Sequence, residues 1–237
     1  MEGYQVIRIP VIAALVCLFL CFGTVEATAE SLAKLMATAK ECSGKAMASP
    51  SDYAANWRAA KACHDYAFEL ESQEAEGWKD LGKDAAKEGM KYGETAARVR
   101  PSGIEGWYFL GLNIGTYSDC VSILVALREG LKDKAQQALE KAYYLDKTYD
   151  NFGPCLALGR YWQSLPAIAG GNLKNAEKLF DEYFAGRGSS QNADKLAYYF
   201  RGALYKDIGR ASDAKADLKK AADMGQKDAA RLLAEMQ

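Results

Sequence analysis

The sequence predicts an all-α protein, an α-solenoid of about four helical hairpins with N- and C-terminal capping helices. Three observations predict it. Alanine, leucine, lysine and aspartate dominate, and β-branched residues are sparse beyond the first 29 positions, which is a helical composition. Apolar residues recur at three- and four-residue spacing along most of the chain. A bulky, small, aromatic pattern also returns in successive helix pairs. Hairpins that each expose an apolar face must stack to bury it.

The chain opens with Val6 to Gly23, almost wholly apolar apart from Arg8 and Pro10, followed by Ala27-Thr28-Ala29, a small-x-small cleavage site. With positive charge on Arg8 and the amino terminus, residues 1–29 read as a secretory signal peptide cleaved after Ala29. The alternative is an uncleaved membrane anchor, but the apolar core is shorter than the roughly 20 residues of a spanning helix. A lipid attachment site would need a small residue before its cysteine, and Val16 precedes Cys17 while Leu20 precedes Cys21. The mature domain is then residues 30–237, exported and periplasmic, with membrane association only through an uncleaved signal. Without Glu2, Arg8 and Glu26, the 31 acidic and 30 basic residues become 29 of each. A net charge near zero disfavours nucleic acid or an anionic membrane as partner.

Glu30 to Met47 is the first helix, with Leu32, Leu35, Met36 and Ala39 on one side. Ser49-Pro50-Ser51-Asp52 breaks it, and Asp52 suits the cap of Tyr53 to Leu70. Trp78 to Val99 is a long helix ended by Arg100-Pro101. Ile104 to Tyr117 follows, then an apolar, irregular segment from Asp119 to Leu127, then a helix from Leu131 to Leu145. Asn151 to Tyr183 reads as a helix, a broken turn and a second helix. Phe152, Leu156, Gly159 and Trp162 share a face of the first, and Pro154 sits in its opening turn, where a missing N–H costs nothing. Leu165-Pro166 ends that helix. Gly170-Gly171 turns the chain, and Asn172 caps a helix carrying Ala176, Leu179, Phe180 and Tyr183. Gly186 to Ser190 is a loop. Ala193 to Ile208 and Ala211 to Met224 form the last hairpin, and Lys227 to Met236 closes the chain.

The hairpins match the tetratricopeptide pattern, whose first helix carries a bulky residue, a large–small pair and an aromatic, and whose second carries alanine, a bulky residue and alanine. Tyr198, Gly202, Tyr205, Ala214, Leu218 and Ala221 fit at the standard intervals. The hairpin before offers Leu158, Gly159, Trp162, Ala176 and Phe180, with extra residues at Pro166 to Gly171. The one before that offers Trp107, Leu110, Gly111, Ile114, Ala135, Leu139 and Ala142, with a longer insertion. The first is degenerate, with Trp57, Ala60, Ala96 and Pro101.

The segments Ala96-Ala97-Arg98-Val99-Arg100-Pro101, Gly106-Trp107-Tyr108-Phe109-Leu110-Gly111, and Gly159-Arg160-Tyr161 through Leu165-Pro166 and Gly170-Gly171-Asn172-Leu173 carry a more specific likeness. They resemble the T component of tripartite (TRAP-type) periplasmic transporters, a tetratricopeptide-like family. They are also similar to eukaryotic regulators of microtubule dynamics. The Leu-Pro to Gly-Gly-Asn-Leu insertion is the most specific part. The resemblance implies an all-helical periplasmic protein that binds a protein partner, in particular a periplasmic solute-binding protein of a transporter. Relatives of that kind are often lipid-anchored, and the missing small residue before Cys17 and Cys21 departs from them.

The chemistry-bearing residues do not assemble an active site, so no enzyme activity and no cofactor is expected. His64 is the single histidine, and its neighbour Cys63 points about 100° away on a helix, which is wrong for a nucleophile–base pair. One histidine and the cysteine spacing exclude a zinc site. Asp146, Asp150 and Asn151 lack calcium-loop spacing and read as turn and cap residues. Gly170-Gly171 has no following lysine and no preceding strand, so it is no phosphate loop. Trp57, Trp78, Trp107 and Trp162 lie mostly at core positions of the repeats. Of Cys42, Cys63, Cys120 and Cys155, antiparallel helices place Cys42 and Cys63 near enough for one disulfide, whereas Cys120 and Cys155 lie on the order of 20 Å apart.

What remains is a surface. First helices of stacked hairpins line the concave side. Counting from the small residue of each repeat puts Arg58, Asp65, Tyr66, Tyr108, Arg160, Gln163, Tyr199 and Lys206 there, and tyrosine and arginine are the types that carry interface energy. The expected function is an exported protein–protein scaffold, with homo-oligomers compatible. The alternative is an apolar small-molecule binder using the insertion-lined cleft between Tyr117 and Ala169.

Overall fold

The computed structural model describes residues 11–187 and 193–236. Eleven α-helices and no strand occur among them. These are α1 (Val11–Ala48), α2 (Tyr53–Ser72), α3 (Trp78–Val99), α4 (Ile104–Cys120), α5 (Ile123–Arg128), α6 (Leu131–Asp146), α7 (Tyr149–Ser164), α8 (Leu173–Gly186), α9 (Lys195–Asp207), α10 (Ala211–Asp223) and α11 (Lys227–Ala234). A 3-10 turn spans Ala167–Ala169. No helix of the described residues is long and apolar enough to cross a membrane. The N-terminal part of the expected signal segment and most of the Gly186–Ser190 loop lie outside the described residues.

Four hairpins stack as the repeats require: α2 on α3, α4 on α6, α7 on α8 and α9 on α10, with α1 against α2 and α11 against α10. The first helices adjoin in the series α2, α4, α7, α9 and α11, and so form one continuous wall. Small residues set the spacing within each hairpin. A Cβ on Gly111 would lie 2.4 Å from Leu139, one on Gly159 would lie 2.6 Å from Phe180, and one on Gly202 would lie 2.9 Å from Leu218. Each of those bulky partners is buried, so a bulky side chain of the second helix fills the notch in the first.

Local signals end the helices where the chemistry demands. Asp52 accepts from the N–H of Ala54 (2.8 Å) and Ala55 (3.1 Å). Asn172 accepts from the N–H of Asn175 at 3.0 Å. Gly170 turns the chain at φ +92°, a left-handed conformation that glycine adopts without penalty.

Two segments differ from expectation. The Asp119–Leu127 stretch is not irregular: α4 continues to Cys120 and Ser122 starts the short α5, its hydroxyl accepting from the N–H of Val125. Ala126 is buried with Tyr117, Leu131 and Leu165 in one core, which holds the insertion in place. The start of the central hairpin is also unusual. Asp150, Asn151 and Phe152 are left-handed, at φ 47°, 57° and 66°, and the right-handed helix begins only around Pro154. Each non-glycine residue there costs roughly 1–2 kcal/mol. Tyr108 donates to the Asp150 carboxylate at 3.2 Å, and the Phe152 ring packs over Gly186, which offsets that cost.

Cys42, Cys63, Cys120 and Cys155 are free thiols. The expected Cys42–Cys63 bridge is not formed because Ser43 occupies the position opposite Cys63, with its hydroxyl 3.8 Å from the sulfur. Cys42, about 100° further round the helix, packs at the edge of the same core. Cys120 is half-buried against Gly82 of α3, whereas Cys155 is buried in the core with Tyr183 and Tyr198, so the two have different surroundings.

Candidate functional site

The wall of first helices is the candidate site, and its upper half is built on aromatic contacts. Trp57 of α2 stacks on Phe109 of α4 with ring centroids 6.1 Å apart and 12° between planes. Lys61 lies over the same Phe109 ring at 5.9 Å and pairs with Asp65 at 2.5 Å. One turn on, the imidazole Nδ1 of His64 is 3.2 Å from the Thr116 hydroxyl of α4. Burial pushes the His64 imidazole down to about 4, so it is neutral at neutral pH and serves as a packed polar link. Cys63 faces the opposite way, toward α1, and burial pushes its thiol up to about 12. The two side chains cannot form a thiolate–imidazolium pair.

Arg160 of α7 and Tyr199 of α9 come from neighbouring helices of this wall, and the Arg160 charge acts on the Tyr199 hydroxyl. The Arg160 guanidinium lies over the Phe200 ring at 5.0 Å, a cation–π contact. Asp65 is half-buried in its pair with Lys61, and Arg58 and Lys206 are exposed, Arg58 lying over the Trp57 ring at 5.3 Å. Three expected groove residues sit elsewhere. Tyr108 is only 5% exposed, with its ring edge-on to Tyr149 at 5.4 Å and its hydroxyl on Asp150. Tyr66 packs against the N-terminal core. The Gln163 amide donates to the Phe200 carbonyl at 3.1 Å, tying α7 to α9. Each lies on a flank facing another helix, because one wall helix offers only a narrow strip to the groove while its other sides are packed.

The structure adds residues that counting along the repeats missed. Glu71 of α2, Asp119 of α4, and Asp228 and Arg231 of α11 join Arg160 and Tyr199. The charges of Asp119, Arg160 and Asp228 all act on Glu71, and those of Asp228, Arg160, Arg231 and Asp119 act on the Tyr199 hydroxyl. Burial, followed by the Asp119 charge, pushes the Glu71 carboxyl up to about 7. Burial also raises Asp119, with Arg160 opposing. Asp119 is exposed to water. Arg231 bridges Glu74, at 2.9 Å, and Asp228. That contact brings the C-terminal helix back to the end of the first helix of the first hairpin.

The cluster runs obliquely across the wall. Glu71 lies eleven residues after Ala60 and Asp119 eight after Gly111, whereas Arg160 is one after Gly159 and Tyr199 three before Gly202. Successive repeats are rotated in a solenoid, so groups that meet do not share a repeat position. No local sequence signal marks them.

The cleft expected between Tyr117 and Ala169 is filled by side chains. Tyr117, Ala126, Leu131 and Leu165 are all buried in one core there, and the Tyr117 hydroxyl reaches Glu129 at 3.4 Å. An open depression of about 670 Å³ lies instead on the outer side, between Pro101, Trp107, Gln136, Glu140 and Tyr144.

No protein-family model matches the sequence, and no curated protein matches it. Among solved structures, the chain is similar to a thermophilic TPR protein of Thermus thermophilus. The TM-score is 0.59 and the identity 16%, over 90% of this chain and 95% of that one. At that identity the likeness shows the fold, a tetratricopeptide-like helical solenoid.

Proposed function

We propose that this chain is an exported protein-binding scaffold whose groove takes a segment of a protein partner. The observation that carries this is the wall itself. Arg160, Tyr199, Glu71 and Asp119 come from four different helices, and none of their side chains has a hydrogen bond or ion pair among the described residues. Polar side chains left without hydrogen-bonding partners on one wall suit a binding surface. Tetratricopeptide-like solenoids present such concave walls to peptides and proteins.

Export rests on the apolar Val6–Gly23 segment and the Ala27-Thr28-Ala29 site. Ala29, Glu30 and Ser31 are exposed, and Leu32 is the first half-buried side chain of the described part of α1. The side chains at the cleavage site and just after it are therefore not part of the packed core. The transporter resemblance supplies the partner class, a periplasmic solute-binding protein.

A photo-crosslinking residue at Asp65, in the groove, and another at Lys215, on the exposed face of α10, test the proposal in cells. We expect one discrete cross-linked species from position 65, identified by mass spectrometry as a solute-binding protein, and none from 215. Equal labelling at both positions, or none at 65, overturns the groove as the binding surface. N-terminal sequencing of the exported chain should begin at Glu30.

A further inference from the structure

We propose that the end of the solenoid carrying the two insertions rests on a lipid bilayer, with Leu124, Leu127 and Ile168 entering its interface. Every hairpin turns at this end. α5 fills the α4–α6 connection and the 3-10 turn at Ala167–Ala169 fills the α7–α8 connection, so both project from one rim. They are neighbours there. A Cβ on Gly170 would lie 3.7 Å from the Lys132 ammonium at the start of α6, and Ala126 and Leu165 belong to one core. Ile168 is fully exposed and Leu124 is 75% exposed, the two most exposed large aliphatic side chains among the described residues, and Leu127 is 37% exposed. Leu124 and Leu127 are three apart and share the outward side of α5, while Ala126 faces the core. The turn that presents Ile168 is closed by backbone hydrogen bonds from Gly171 to the Pro166 carbonyl and from Asn172 to the Trp162 carbonyl, both 3.1 Å. The apolar tips are therefore held outward on a built scaffold.

Large apolar side chains left in water on a projecting rim mark a contact surface, and the course of α1 says what lies against it. α1 runs antiparallel to α2 and has 38 residues against 20. Its N-terminal part, which includes the apolar stretch up to Gly23, therefore runs on past this same rim. A bilayer that takes up that stretch during export lies on the side where the insertions project. The charges around the tips fit a lipid surface as well. Arg128, Lys132 and Lys174 stand against Glu129 and Asp133, and Lys134 is paired with Glu94. Such a nearly balanced rim offers little to a strongly charged partner, whereas lysine and arginine stems lie readily beside inserted leucines with their heads in water. No helix of the described residues is long and apolar enough to cross a membrane, so the contact is one of interfacial side chains, weak and reversible. It holds the groove close to the membrane.

A solvatochromic amino acid at position 168 of the full chain, mixed with phosphatidylcholine vesicles, tests the proposal. The same residue at position 47, which is 64% exposed at the opposite end of the stack, is the control. Both chains carry the same N-terminal segment, so anchoring by that segment does not separate them. We expect a blue shift at 168, quenched by lipids spin-labelled near the headgroup, and no response at 47. Leu124→Ser/Leu127→Ser, checked for folding by circular dichroism, should raise the lipid concentration needed for the response at 168 by about five- to tenfold. Added phosphatidylglycerol or salt should change that concentration by less than about twofold. Silence at 168, equal responses at 168 and 47, a response unchanged in the double variant, or one that needs phosphatidylglycerol and vanishes in salt overturns the proposal. If 168 is silent on vesicles and a photo-crosslinking residue there captures a protein, the rim is a protein contact and the bilayer fails. The groove is decided separately, by labelling at position 65.

Discussion

Two helical glycines of this fold should respond to alanine with opposite signs. Gly159 of α7 faces α8, and a Cβ there would lie 2.6 Å from Cε1 and 2.8 Å from Cδ1 of Phe180. Ordinary contact needs about 3.4 Å or more, so ring or helix must move by close to 1 Å. The ring has nowhere to go: Phe180 is 0% exposed and shares its core with Ala176 and Leu204, also 0% exposed. Overpacking of this kind costs about 1–3 kcal/mol. Alanine returns up to about 1 kcal/mol through helix propensity, leaving Gly159→Ala about 1–2 kcal/mol less stable. Gly115 of α4 has nothing within 4 Å of its Cβ position. Gly115→Ala should therefore stabilise by about 0.5–1 kcal/mol. Urea unfolding followed by circular dichroism measures both, and melting points should move by about 2–4 °C per kcal/mol in opposite directions. Phe180→Leu should relieve part of the Gly159→Ala defect, seen as a non-additive double-mutant cycle, while Gly159→Leu should unfold the hairpin. A Gly159→Ala variant within about 0.5 kcal/mol of wild type, or strict additivity, would refute the notch-and-knob account.

Glu71 has a raised folded-state pKa of about 7, so it binds its proton more tightly folded than unfolded. Its stabilising contribution is complete below the unfolded value near 4.3 and is lost as pH rises through 7, an effect of about 1–3 kcal/mol. His64 acts in the opposite sense, its contribution being present above about 6.5 and lost as pH falls toward 4. The difference between wild type and Glu71→Gln across pH 4.5–8 isolates the first, and identical profiles would contradict it. Asp217, 4% exposed, holds Arg201 by contacts of 2.6 and 3.1 Å. Asp217→Ala should cost about 3–5 kcal/mol by stranding a half-buried guanidinium, and thermal melting reads it. Cys63, with its thiol near 12, should alkylate in native protein far more slowly than in urea. Non-reducing peptide maps should contain no Cys120–Cys155 peptide, since Cys120 sits against Gly82 of α3 and Cys155 is buried with Tyr183 and Tyr198.

The sequence by itself determined the paired helices and their order, though not the short α5. Asp52 and Asn172 name their caps, Pro166 names a stop, and Gly111, Gly159 and Gly202 mark where second helices come close. These are short-range effects, set by backbone geometry and by neighbours within a turn or two. The left-handed run at Asp150–Phe152 was not legible, because Tyr108 and Gly186 hold it from other helices. The groove was legible only in part. Arg160 and Tyr199 could be counted onto the wall, but Tyr108, Tyr66 and Gln163 turned out to face packed flanks. Glu71, Asp119, Asp228 and Arg231 had no local mark at all. Only the tertiary structure decides them, because the rotation between successive hairpins brings different repeat positions together and carries α11 back to Glu74, 157 residues earlier in the chain than Arg231.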